Sequence, residues 1–341
     1  MALSVEPAQT PAQLATFLAI GAEVHAGPWP DAATLEHELA TEPRTRFLLA
    51  SLDGVPVATG VGKPSSIGDA MYTMARVLPG YRVRGVGTAV LAALSRHAQA
   101  VGLGSLLGRV REDDEASRRF VEHRGFILVS RECPVALDLT SFDGQPPEPP
   151  VGVVIVSLAE RPDLMQAAYE VEVETVGDIP VGPEAPTPRS FDEWRADTIE
   201  APGALPALSL MALDGDEVVG WSGIVAVGGE EGVAENLLTG VRRSARGRGI
   251  ATALKREQAS RAKEAGLRRI GTTNDEENAP MRAVNARLGF EAGRCGCSCV
   301  GPWSKRPAGA PSRPAPSSRA SRGGRGGSCR CRRRRRAGGR R

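Results

Sequence analysis

Two stretches of this chain, 164 positions apart, set the same residues in the same order. Arg82 answers to Arg246, Gly85 to Gly249, Thr88 to Thr252, Gly102 to Gly266, and Gly125-Phe126 to Gly289-Phe290, with no gap. Upstream, residues 52–60 (LDGVPVATG) resemble residues 213–221 (LDGDEVVGW) at an offset of 161, so a small insertion or deletion separates the halves. A chain of 341 residues holds two domains of common size. It is therefore read as one domain written twice, over residues 1–140 and 151–300, with the Pro-rich segment 141–150 as linker and 301–341 as a tail.

Each copy has the same pattern. An opening strand (3–6 and 151–157) leads into helical sequence. Apolar runs then flank Asp53-Gly54 and Asp214-Gly215, the strongest short-range hairpin signal. A further strand (71–78 and 235–241) runs straight into an Arg/Gly segment. Val86, Val90, Leu94, Ala98 and Val101 follow on one helical stripe, with Gly102 suited to its C-terminal cap. A short strand, a polar loop, a second helix and Gly-Phe complete the unit. The expected class is α+β, each copy a mixed, mostly antiparallel sheet flanked by helices.

Charge is unevenly placed. Residues 291–341 hold fifteen basic residues against one acidic, a net of +14, so the chain total of +3 leaves −11 on residues 1–290. The basic balance belongs to the tail and not to the body. Cys133 stands alone, while the other five cysteines fall at or beyond 295, which is no disulfide framework; Cys133 reads as apolar filler. All four histidines precede residue 150, excluding a His-dependent triad or His-ligated metal within the second copy, and no metal is expected. No apolar run reaches the length of a membrane span and no leader pattern opens the chain, so the expected location is cytoplasmic.

The chemistry sits in the repeated segment. A strand that ends in glycine-rich backbone and opens a helix aims several free N–H groups at one point, a ready anion site. Arg82, Arg84, Arg246 and Arg248 stand there against the helix dipole unless an anion offsets them. The segment reads as a phosphate or pyrophosphate cradle, or else as a tight turn with solvated arginines. Gly-Lys-Ser/Thr and Gly-x-Gly-x-x-Gly are both missing, which disfavours a P-loop and a dinucleotide fold.

What fits is Arg-x-x-Gly-x-Gly/Ala, as Arg82-Val83-Arg84-Gly85-Val86-Gly87 and Arg246-Gly247-Arg248-Gly249-Ile250-Ala251. Here the sequence resembles the GNAT N-acetyltransferase superfamily, over about residues 1–140 and 151–290. The two-copy layout resembles that of actinobacterial mycothiol synthases. The resemblance implies two tandem GNAT-like domains, with acetyl-CoA as cosubstrate and its pyrophosphate held by the hexads, aided by Val77 and Thr88 in the first copy and by Val241, Arg243 and Thr252 in the second. The family's strand before the hexad often ends Val-x-Pro, matched by Val77-Leu78-Pro79 but not by Val241-Arg242-Arg243. Beyond the hexad the family commonly has Asn, a Tyr seven residues on, and Gly-Phe. The second copy supplies Asn278, Asn285 and Gly289-Phe290; the first supplies Asp114, Val121 and Gly125-Phe126. Asn278 is expected to hold the pantetheine amides.

Acyl transfer to an amine needs a deprotonated amine, a polarised carbonyl and a protonated leaving thiolate. The resemblance puts backbone N–H groups beside Val241 at the carbonyl, where a bulge splays the strand, and makes Glu235 the candidate base. Asn285 occupies the slot of the tyrosine that usually protonates the thiolate, and an amide has no such proton to give. Glu170, Glu172, Glu174 and Asp178 fall where the family builds its acceptor pocket, and read as that pocket or as a wet helix face. Trp194 and Trp221 read as packing.

The expected activity is acetyl transfer to an amine of a small molecule or peptide by direct attack in a ternary complex, with the second copy the catalyst. The alternatives are a non-catalytic acyl-CoA-binding module and, through the tail, a nucleic-acid-binding protein. The Arg/Gly/Pro-rich composition of residues 301–341 is that of disordered chain, and the two strands that normally close the family's sheet after Gly-Phe are expected to be missing.

Overall fold

The computed structural model describes residues 2–25, 29–144, 148–180 and 186–302. Residues 303–341, nearly all of the expected disordered tail, lie outside the described residues.

The first repeat runs β1 (Leu3–Pro7), α1 (Pro11–Val24), α2 (Ala32–Thr41), β2 (Arg46–Leu52), β3 (Val55–Pro64), β4 (Ala70–Val77), α3 (Val86–Ala100), β5 (Ser105–Arg111), α4 (Glu115–Glu122) and β6 (Ile127–Asp138). The second runs β7 (Val153–Ser157), α5 (Met165–Val176), α6 (Phe191–Thr198), β8 (Leu210–Asp214), β9 (Glu217–Ala226), β10 (Val233–Val241), α7 (Ile250–Glu264), β11 (Arg269–Asp275), α8 (Ala279–Arg287), β12 (Glu291–Ala292) and β13 (Gly296–Gly301). The order is that expected, and each repeat is α+β, with helices on both faces of a mixed sheet. Asp53, Gly54 and Gly215 all take positive φ in the two hairpin turns, the backbone that such turns demand. No helix among the described residues is long and apolar enough to cross a membrane.

The strands make one continuous sheet in the order β1-β2-β3-β4-β5-β13-β6-β11-β10-β9-β8-β7, with β12 against β6. Among the described strands only β4–β5 and β10–β11 pair in parallel. The order shows that the repeats exchange strands. β13, from the end of the second repeat, lies between β5 and β6 of the first, with Ser298 opposite both Arg109 and Ser130. The far half of β6 crosses over and pairs with β11 of the second repeat from Glu132 to Asp138.

The closing strands expected to be missing are therefore present. They escape a reading of periodicity because β12 is two residues long and β13 reads GCSCVG, small residues that fit between two neighbours without an alternating apolar signal. Cys297 and Cys299 are buried there. Cys133 is likewise no inert filler: it forms a disulfide with Cys295, whose Cα is 4.2 Å away, tying β6 to the chain that enters β13.

α3 and α7 pack on the sheet through matching stripes, Val86, Val90, Leu94 and Ala98 in one and Ile250, Leu254, Gln258 and Ala262 in the other. On the opposite face of the second repeat, α5 and α6 enclose Trp194 and Trp221, both fully buried and in edge contact at 5.6 Å between ring centroids.

Candidate active site

Both hexads open their helices from a left-handed glycine. Gly85 (φ 82°) is the N-cap of α3 and Gly249 (φ 85°) that of α7, and neither cap has a side chain to satisfy the first-turn N–H groups. A Cβ at Gly85 or at Gly249 would meet nothing within 4 Å, so both caps face open space. The residue two before each cap also has positive φ. In the second repeat it is Gly247 (φ 79°), whereas in the first it is Val83 (φ 62°), a β-branched residue in a region that costs it about 1–2 kcal/mol.

The first arginine of each hexad folds back on its own strand. Arg82 Nε donates to the Val77 carbonyl at 3.1 Å and Arg246 Nε to the Val241 carbonyl at 3.0 Å. The expectation that the arginines await an anion needs correction in the second repeat. Arg246 also pairs with Asp178 at 2.6 Å, and Arg248 pairs with Asp214. The cradle's attraction for an anion thus rests first on backbone N–H groups. Arg243 turns away from the cradle, its N–H bonded to Glu174 at 2.7 Å and its guanidinium to Asp178 at 2.7 Å.

The acidic run on α5 is accordingly neither an open anionic pocket nor a wet face. Glu174 and Asp178 buckle α5 to the end of β10, and hydrogen bonds from Arg243 and Arg246 hold the Asp178 carboxyl below its ordinary range. Glu172 accepts from Trp194 Nε1 at 2.7 Å and Trp221 Nε1 at 3.2 Å. Glu170 lies 3.6 Å from Arg242.

Asn278 and Asp114 both act as N-caps, of α8 and α4. Asn278 Oδ1 accepts the Met281 N–H at 3.2 Å and Asp114 accepts that of Ser117 at 3.0 Å, which leaves only the Asn278 amide NH2 for a ligand.

The repeats differ most where the parallel strands part. β10 pairs with β11 only from Val233 to Glu235, and β10 carries a bulge between Asn236 and Leu238. β4 parts from β5 after Thr73, but its ladder with β3 is unbroken. Counted from the first pair of each parallel ladder, Ala70 opposite Ser105 and Val233 opposite Arg269, the run to the hexad is one residue longer in the second repeat, and the extra residue is the bulge. Past it, the Arg242 N–H bonds Val219 on β9. Strand alternation therefore turns the N–H of Val241 toward the open side, where its carbonyl already meets Arg246.

Glu235 ends the ladder, partly buried, with its carboxylate laid over Gly271 of β11. Burial raises its pKa against the opposing pull of Arg109, Arg269 and Lys255. Asn285, 2% exposed, has no hydrogen-bond partner for either amide atom, and the Nδ2 of buried Asn274 has none either.

Access differs as well. In the first repeat, Phe120 of α4 lies across the first turn of α3, 3.6 Å from where a Cβ on Gly87 would stand. Arg124 stacks on that ring and donates to Thr88 Oγ1 at 2.5 Å. Val284 and Leu288 hold the corresponding positions in the second repeat. There a cavity of about 490 Å³ opens at the start of α7, lined by Arg248, Gly249, Thr252, Ala253 and Arg287 with Glu148 and Pro150 of the linker. A second cavity of about 810 Å³ reaches Glu235, Gly271 and Thr272 from the β6–β12 side.

Sequence reasoning missed a polar cluster under α7. Asn236 Nδ2 donates to Ser222 Oγ, Gln258 Oε1 and the Gly223 carbonyl at 3.0–3.1 Å. Lys255 Nζ donates to Asn236 Oδ1 at 2.8 Å. Leu91 and Leu94 stand where Lys255 and Gln258 do, 164 positions earlier. A polar pair on an otherwise apolar helix stripe was the available signal.

Comparison with known proteins agrees with this geometry. The model of the acetyltransferase (GNAT) family matches residues 14–126 and 168–290. A tandem GNAT protein from the clavulanic acid biosynthesis pathway, solved without AcCoA, superposes with a TM-score of 0.69 at 20% identity, covering 90% of this chain and all of that one. A GCN5-related N-acetyltransferase from Sphaerobacter thermophilus gives 0.68 at 21% identity, covering 89% and 96%. A putative acetyltransferase from Pyrococcus horikoshii gives 0.56 at 15% identity, covering 88% and 89%. No curated protein matches the sequence. With the family model matched twice, across most of each repeat, the chain belongs to the acetyltransferase (GNAT) family.

Proposed function

We propose that the protein transfers an acetyl group from acetyl-CoA to an amine of a small molecule or peptide, with the second repeat as catalyst and the first as scaffold. The observation that carries this reading is the bulged split between β10 and β11, which the second repeat combines with an open cradle and a carboxylate at the root of the split.

Acetyl-CoA enters from the α7–α8 side, its pyrophosphate on the N–H groups around Gly249 and its pantetheine arm in the split. The Val241 N–H points at the thioester carbonyl and stabilises the oxyanion as the amine attacks. Glu235, on the opposite face, takes the proton that frees the amine; burial raises its pKa, which makes it a stronger base than an exposed carboxylate. The amide forms, the carbon–sulfur bond breaks and the electron pair leaves on sulfur.

The competing reading, a non-catalytic acyl-CoA-binding module, is favoured by Asn285 in place of the tyrosine. Turnover of acetyl-CoA against a panel of amines separates the two. CoA release that needs an amine and fails in Glu235→Gln supports catalysis; tight binding with no turnover supports the module.

A further inference from the structure

The reaction leaves a thiolate, and the residue in the tyrosine slot has no acidic proton. Every titratable group near the split bears on where the proton comes from. Glu235 lies on the acceptor face and is spent on the amine. On the cofactor face, Lys255 is 3% exposed, in the second turn of α7, and reaches under the helix to the bulge. Its Nζ lies 5.0 Å from the centroid of the Phe290 ring, and the Phe290 N–H bonds the Asn285 carbonyl at 3.0 Å. Its ammonium therefore stands between the bulge residue Asn236 and the turn of α8 that carries Asn285. Among the described residues its ammonium has one hydrogen-bond acceptor, and both amide atoms of buried Asn285 and the Nδ2 of buried Asn274 are unpartnered.

We propose that Lys255 protonates the departing CoA sulfur, supplying from α7 the proton for which the family commonly uses a tyrosine on the facing helix. This rests on the second repeat binding acetyl-CoA as described above. As the carbon–sulfur bond breaks, the electron pair on sulfur takes a proton from Nζ, leaving CoA thiol and a neutral amine. Two protons leave the acceptor nitrogen in all; one replaces that given by Lys255 and the other goes to solvent.

The surroundings suit the role. Burial pushes the Lys255 ammonium down to about 7, opposed only by the charge of Glu235. That value lies near the range of a thiol, about 8.5 when free, so a proton can pass from Nζ to the leaving sulfur without a large penalty. The groups that touch the ammonium do not titrate: Asn236 on β10 and the Phe290 ring. On its own helix, Arg256 is turned to Asp143 at 2.6 Å. The first repeat, with Leu91 in this position, has no equivalent donor.

The test uses the full chain and CoA itself, so no acceptor need be known. Calorimetry measures CoA binding, and the thiolate absorbance of bound CoA is titrated with pH in the wild type, Lys255→Met and Lys255→Gln. Gln keeps a donor for Asn236 Oδ1 but has no charge or proton to give, which isolates a merely bracing role. The expected result is a bound thiol that ionises about one unit or more below free CoA in the wild type, tenfold in acidity, with the shift lost in both variants while affinity stays within about threefold. CoA that binds with no shift, or a shift that Lys255→Gln retains, overturns the assignment and leaves the proposed function standing. Failure of the wild type to bind CoA overturns both.

Discussion

The Glu235 carboxylate occupies the space that a side chain on Gly271 would fill: a Cβ there would stand 2.6 Å from Glu235 Oε2. Glycine on β11 is what lets the proposed base lie flat across the parallel ladder at the root of the split. Gly271→Ala is expected to push the carboxylate out of place without unfolding the sheet. The kcat should fall about tenfold or more and acetyl-CoA affinity should stay unchanged. Steady-state kinetics with any accepted amine, beside calorimetry, checks this; an unchanged kcat removes Glu235 from the mechanism.

Lys255 makes stability depend on pH with a definite sign. Its folded pKa of about 7 lies below its ordinary 10.5. Between these values the unfolded chain binds more protons than the folded one, so this contribution strengthens as pH rises and is lost as pH falls toward 7. The slope is at most about 1.4 kcal/mol per unit. The stability difference between Lys255→Met and the wild type, from denaturant melts across that range, should therefore shift toward the wild type with rising pH. A difference that does not vary with pH contradicts the lowered pKa of the buried lysine.

The strained Val83 predicts opposite outcomes at equivalent positions. Val83→Gly should raise stability by about 1 kcal/mol, strain relief being partly offset by the entropy of a glycine in the unfolded chain. Gly247→Val should lower it by a similar amount. Chemical denaturation of both variants tests the pair, and a destabilised Val83→Gly contradicts the assigned backbone.

Strand exchange makes the end of the second repeat a structural part of the first. Breaking the Cys133–Cys295 bond, by reduction or by Cys133→Ser, should cost about 2–4 kcal/mol, because it closes a long loop and holds β13 in register. Deleting residues from Cys295 onward should expose the edge of β5, and hydrogen exchange should quicken at Leu106–Val110 as well as in the second repeat. Protection of β5 that survives the deletion contradicts the exchanged topology.

The repeat, the order of elements and the two hexads were legible because glycine and arginine at fixed spacing leave a plain trace. The strand exchange was not, since β13 is built of small residues with no alternation and its partners lie more than 150 positions away. The fold-back of Arg82 and Arg246 and the pairing of α5 with Arg242, Arg243 and Arg246 are tertiary facts, to which a helix-dipole argument on one segment is blind. The bulge, expected from the family resemblance, also leaves a direct trace, as the extra residue between strand and hexad in the second repeat. Lys255 was legible too, as a charge on the face of α7 that should be apolar.

The central claim is that acetyl-CoA occupies the second cradle and not the first. Calorimetric titration of acetyl-CoA into the wild type, Gly85→Val and Gly249→Val tests it most directly, since a β-branched residue at either left-handed cap both strains the turn and blocks the approach of a phosphate to its amides. The account predicts one site per chain, kept in Gly85→Val and lost in Gly249→Val, with both variants folded. Binding that survives in Gly249→Val and disappears in Gly85→Val would contradict it.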